Sequence, residues 1–98
     1  MAKEIFAYES ILVVSCKRSE EDIQAIVAKF KDLIEQNGEL ENVDEWGARK
    51  LAYLINKETD GYYVVFSFKA SAEFPAELKR VYAITDGVLR YNVIRKDD

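Results

Sequence analysis

Basic side chains bracket the β-prone runs of this 98-residue chain. Arg49 and Lys50 open the stretch "ARKLAYLINKETDGYY", Lys57 closes its first apolar run, and Arg90 and Arg95 stand within "VLRYNVIRK". Lys3 and Lys96 flank the outer ends of the first and last runs. Cations so placed can make charge-assisted contacts to phosphates, and an arginine can fork onto two oxygens. They can equally guard exposed strand edges against sheet-to-sheet pairing. Arg90 and Arg95 are an odd number of residues apart, so a regular strand points them to opposite faces.

Four aromatics, Tyr62, Tyr63, Phe66 and Phe68, lie close together in "GYYVVFSF". Aromatics on a four-stranded sheet stack bases in RNA-recognition modules, and the run partly follows that pattern. It departs where Asp60 replaces the leading cation and where Val64 or Val65 stands for an aromatic. The alternative is that these rings pack in the core, as strand aromatics commonly do. Trp46 beside Gly47 reads either as an interface anchor or as a core cap at a bulge.

Little else supports catalysis. The chain has no histidine and one cysteine, Cys16, which removes the common nucleophile–base pairs and imidazole metal sites and allows no intrachain disulfide. Cys16 reads as a small strand-end residue. The glycines are scattered singly, so there is no Gly-rich phosphate loop. The acids of "SEEDIQ" suit the positive end of a helix dipole better than a metal. No catalytic residue, metal site or cofactor is expected.

The composition, 49% hydrophobic and 33% charged, fits a globular domain with a core. Its size suggests one domain over residues 1–98. No signal peptide or membrane span is expected, and a lone cysteine agrees with a reducing cytoplasm. The net charge is −4, but it is unevenly spread. Residues 1–46 carry five cations against eleven acids, whereas residues 47–96 carry nine cations against five. A basic patch, not the average, meets a phosphate backbone.

The elements that must position these groups follow from periodicity. Residues 4–16 have apolar side chains on both parities and predict a central strand. Residues 19–37 predict a helix capped by Ser19, with Ile23, Ile26, Val27, Phe30, Leu33 and Ile34 on one stripe and Gly38 as its stop. Residues 39–57 predict a second strand, bent near Trp46-Gly47. Asp60-Gly61 then predicts a hairpin turn with a positive φ. Residues 62–70 predict another central strand. A second helix follows, with Ser71 as a possible cap, Pro75 in its first turn and Asp86-Gly87 at its end. Residues 88–96 predict the last strand. The order β-α-β-β-α-β is the ferredoxin-like, α+β plan. Right-handed crossovers would place both helices on one face of a four-stranded antiparallel sheet and leave the other face uncovered by this chain.

Taken together, Tyr8-Glu9, "WGARKLAYLINKETDGYYVVFSF" from Trp46 to Phe68, "ELKRVYAI" and "VLRYNVIR" resemble the small-subunit ribosomal protein S-six family over nearly the whole chain. Cys16 and Leu54 stand where the family often has prolines, and the extended C-terminal tail of some members is missing. The resemblance implies the same fold and a structural, non-enzymatic role in the cytoplasmic ribosome. It implies binding to the central domain of small-subunit ribosomal RNA, as a heterodimer with a small basic protein, ribosomal protein S-eighteen, with no DNA or membrane partner. Carried over residue by residue, it makes Lys57, Arg90 and Arg95 the foremost RNA contacts. Arg49, Lys50 and Lys3 are further candidates, and Arg49 and Lys50 could face the protein partner instead. Trp46, Leu51, Tyr53 and Val65 become the partner-facing candidates.

Overall fold

The computed structural model describes residues 4–55 and 58–96. Its elements are β1 (Ile5–Ser15), α1 (Glu20–Asn37), β2 (Gly38–Ile55), β3 (Glu58–Ser71), α2 (Phe74–Ile84) and β4 (Val88–Arg95). The strands form one sheet in the order β2-β3-β1-β4, with every neighbouring pair antiparallel. This is the ferredoxin-like arrangement, with β1 and β3 inside and β2 and β4 at the edges.

Strand alternation sorts the sheet into two faces. Tyr8, Leu12 and Val14 of β1 lie opposite Phe68, Val64 and Tyr62 of β3. With Phe66 they meet Ile23, Ile26, Val27, Phe30 and Ile34 of α1 and Leu78 and Tyr82 of α2 in one buried cluster. Both helices therefore cover this face. The other parity pairs Glu9 with Ser67, Ile11 with Val65 and Val13 with Tyr63. No element of the described residues packs over it, yet Val13 is 2% and Val65 8% exposed.

Ser19 caps α1 as expected, its hydroxyl accepting from the Asp22 N–H at 3.2 Å. Gly38 ends α1 for a steric reason. Its backbone is extended, at φ −174°, and it is already the first residue of β2. A Cβ there would run into the Lys69 carbonyl oxygen and Ala70. Gly38→Ala is expected to lower stability by about 1–3 kcal/mol, the usual cost of overpacking. Urea denaturation measures this, and a neutral result would remove the close approach as the reason for glycine.

Two expectations need correction. Asp60 and Gly61 do not form the hairpin turn. Both lie within β3, opposite Lys50 and Arg49, and the pairing runs on to Ile55 opposite Glu58. Gly61 is not in the positive-φ region, which among the described glycines holds only Gly47 (φ 80°) and Gly87 (φ 96°). Gly61 is needed for space: a Cβ there would collide with Val13 and press on Leu51. Nor does Ser71 cap α2. It is the last residue of β3, paired with Ile5, and the helix starts after Glu73 with no side-chain cap and Pro75 in its first turn.

Ser10 and Tyr82 are the buried polar pair of the core, their hydroxyls 2.7 Å apart. Among the described residues no buried side-chain polar atom lacks a partner. Cys16 follows β1 directly and is half-buried.

Candidate nucleic-acid and partner interface

The bend expected at Trp46-Gly47 is a bulge. The β2–β3 register shifts between Glu45 and Gly47, and Gly47 takes the positive φ that a side chain would resist. The bulge turns Trp46 onto the open face, where its ring stacks on Tyr63 at 6.1 Å and 14°. The indole N–H donates to Asp44 Oδ2 at 2.9 Å, which fixes the ring. Trp46 is 46% exposed and does not cap the core.

The other aromatics divide by parity. Phe66 and Phe68 are fully buried beneath the helices. Tyr62 packs beside them, and its hydroxyl donates to Glu45 Oε1 at 2.8 Å. The Gln24 amide reaches both groups at 3.4 Å. The bond to Glu45, with some burial, raises the Tyr62 phenol above its ordinary value. Of the four aromatics in "GYYVVFSF", only Tyr63 is on the open face. A platform stacking several bases, as in an RNA-recognition module, is not built here.

Arg90 and Arg95 take opposite faces, as their spacing predicts. Arg90 is opposite Val13, on the open face, and Arg95 is opposite Tyr8, at the rim of the helix-covered face. The Arg95 guanidinium lies over the Phe6 ring, 3.7 Å from its centroid. Five residues of strand separate the two by about 17 Å along β4. Because β4 is an edge strand, both side chains border the same margin of the sheet.

β2 is divided in charge at its bulge. Glu39, Glu41, Asp44 and Glu45 precede Trp46, and Arg49 and Lys50 follow it, all of them exposed. Only one ion pair joins these acids to a described cation, Glu41 with Lys69 at 3.5 Å. Arg49 lies opposite Gly61, so it shares the open face, while Lys50 lies opposite Asp60. Leu51 is half-buried and near Val13. Val65 is on the open face too, but its burial leaves little surface for a partner. Tyr53 falls within β2. Lys3 and Lys57 lie outside the described residues. No metal-binding group of acids or cysteine occurs among the described residues, and none of their helices is long and apolar enough to cross a membrane.

Comparison with known proteins assigns the fold to a family. The family model for ribosomal protein S6 matches residues 7–95. Small ribosomal subunit protein bS6 of Thermoanaerobacter pseudethanolicus is 50% identical over 93 residues, covering 94% of this chain and 98% of that protein. The chain belongs to the ribosomal protein S6 family. Its bS6 relative in Caldanaerobacter subterraneus is 52% identical over 93 residues, with the same coverage. Among solved structures, the crystal structure of 30S ribosomal protein S6 from Thermotoga maritima superposes with a TM-score of 0.90 at 29% identity, covering 95% of this chain and 89% of that one. As an S6 protein, the chain is a structural component of the small ribosomal subunit in the cytoplasm, not an enzyme.

Proposed function

We propose that this protein acts as a single domain that binds the central domain of small-subunit ribosomal RNA jointly with ribosomal protein S-eighteen, as a heterodimer. The observation that carries the reading is the division of the surface. An acidic stretch of β2 leads to the exposed Trp46, while cations line the later half of β2 and the β4 edge. Opposite potentials steer encounter and fix register, so an acidic half suits a basic protein partner. Trp46 is the anchor on that side, with Leu51 and Tyr53 beyond the bulge and Val65 in a minor part. The RNA contacts are Lys57, Arg90 and Arg95, supported by Arg49, Lys50 and Lys3. Because Arg90 and Arg95 border one edge from opposite faces, an RNA strand that meets both follows β4.

The test is binding of a purified central-domain RNA fragment by this protein with S-eighteen, over a range of salt. The combined variant Lys57→Glu, Arg90→Glu, Arg95→Glu is expected to bind more weakly. The slope of log affinity against log salt should flatten by roughly one for each phosphate that the variant no longer neutralises. Unchanged binding by a folded triple variant would overturn the assignment of these residues. Failure of the wild type and S-eighteen to associate would overturn the heterodimer.

A further inference from the structure

The strand register aligns side chains in rows across the open face. One row runs Gly47, Tyr63, Val13, Arg90, and the next runs Asp44, Val65, Ile11, Asn92. Where the rows cross β1 and β4 they enclose a cleft of about 460 Å³, lined by Ile11, Val13, Tyr63, Arg90, Tyr91 and Asn92. Its volume is within the range of small-ligand sites. We propose that this cleft receives one unpaired nucleobase of the bound RNA. Ile11, with the buried Val13 beneath it, gives the cleft an apolar floor for the face of the base, and Tyr63 offers an aromatic wall. The Asn92 amide meets the polar edge of the base, and Arg90 takes the adjoining phosphate. This rests on the reading that RNA follows β4, and it names the contact made there.

Three observations favour a nucleotide over a partner side chain. First, the chemistry is sorted as a nucleotide requires. A flat base has two apolar faces and a polar edge, and its nucleotide brings one phosphate through the sugar. The cleft has an apolar floor, an amide that both donates and accepts, and a cation. Second, Tyr63 is held in place before binding. It stacks on Trp46, which is itself hydrogen-bonded to Asp44. A ring already fixed loses little freedom when a base stacks on it. Third, Arg90 is the one charged residue lining the cleft, and the nearest acid of β1 on this face, Glu9, lies one row beyond Ile11 and outside the lining. The acids that suit a basic protein are across β3, on β2. A lysine or arginine of such a partner would meet Arg90 as a like charge, which disfavours it.

The test uses the full chain with S-eighteen and the same central-domain RNA fragment. Tyr63→Ala and Asn92→Ala are each expected to weaken RNA binding roughly tenfold, within the range for one stacked or bidentate base contact. Neither side chain is assigned a phosphate, so the salt slope should stay at the wild-type value. Arg90→Gln should instead flatten it by roughly one. Short-wave ultraviolet irradiation of the complex should attach a single nucleotide to Tyr63. Asn92 is exposed, so Asn92→Ala tests the cleft without disturbing the fold. Wild-type RNA affinity in folded Tyr63→Ala and Asn92→Ala would overturn the cleft alone. So would weakening by these variants of the complex with S-eighteen in the absence of RNA, since the cleft would then hold a protein side chain. Failure of the wild-type pair to bind the RNA at all would overturn both this inference and the reading beneath it.

Discussion

Phe30→Ala is expected to destabilise the fold by about 3–5 kcal/mol, a large share of the stability of a domain this size. Phe30 is fully buried near the middle of α1. Its ring centroid is 4.4 Å from that of Tyr82 on α2, and both belong to the cluster that holds Leu12 and Phe66 of the sheet. The ring therefore ties together its own helix, the second helix and the two central strands. Truncation removes that apolar area from the core and leaves a cavity, because α1 is fixed at both ends and cannot settle into the gap. Its N-terminus is tied by the Ser19 cap, and its C-terminus runs without a loop into β2. Urea denaturation followed by circular dichroism measures the loss. The slope against urea should be unchanged, since the same surface is exposed on unfolding. A cost below about 1.5 kcal/mol, the level of a volume-conserving swap, would show that the helices are held elsewhere. RNA binding by the fraction that remains folded should be preserved, because Phe30 is on the opposite side of the sheet from Trp46 and Arg90.

The elements were legible wherever a local pattern had a local cause. The stripe from Ile23 to Ile34 has helical spacing, and Ser19 caps the helix by accepting from the N–H of Asp22, three residues on. The break at Trp46-Gly47 marks a bulge because glycine there takes a positive φ. Asp60-Gly61 misled because glycine is required for two different reasons that look alike in a sequence. A turn needs its φ, whereas Gly61 needs its lack of a Cβ, and the atoms it must avoid belong to Val13 and Leu51. Val13 is far away along the chain, so no local signal carries that constraint. Gly38 is the same case, with the obstruction supplied by Lys69 across the sheet.

The site was legible in part. Alternation alone places Tyr62, Phe66 and Phe68 on one parity and Tyr63 on the other, and it separates Arg90 from Arg95. It does not say which parity the helices cover. That depends on the register of β1 against β3, which sets Leu12 opposite Val64 under α1 and α2. The same limit hid Asn92. A lone asparagine on a strand has no pattern of its own, and it gains a role only when the register puts it beside Ile11, in the row next to Arg90. Val65 illustrates the converse. Its parity is that of the open face, yet it is only 8% exposed, and strand alternation says nothing of that burial.

The protein is expected to lose stability steeply in alkali because of Tyr82. Its hydroxyl is buried against Ser10, and burial pushes its ionisation far above the ordinary value of 10.0, with the Ser10 bond opposing this weakly. In the unfolded chain the phenol is in water and ionises at its ordinary value. Below that pH both states keep the proton, and Tyr82 adds no pH dependence. Above it the unfolded state gives up a proton that the folded state retains, so stability falls as pH rises until the folded phenol also ionises. One such group lowers the unfolding free energy by up to about 1.4 kcal/mol for each pH unit. Tyr62, whose phenol is also raised, adds a smaller contribution of the same sign because it is mainly solvated. Tyr82→Phe separates the causes. It leaves the Ser10 hydroxyl buried without its partner and should cost about 1–3 kcal/mol at neutral pH. It also removes the ionisable group, so its decline in alkali should be shallower and the two curves should converge. Urea denaturation of both proteins, from about pH 9 to about pH 11, provides the comparison. If the variant declined as steeply as the wild type, the alkaline loss would have to come from groups other than the buried phenol.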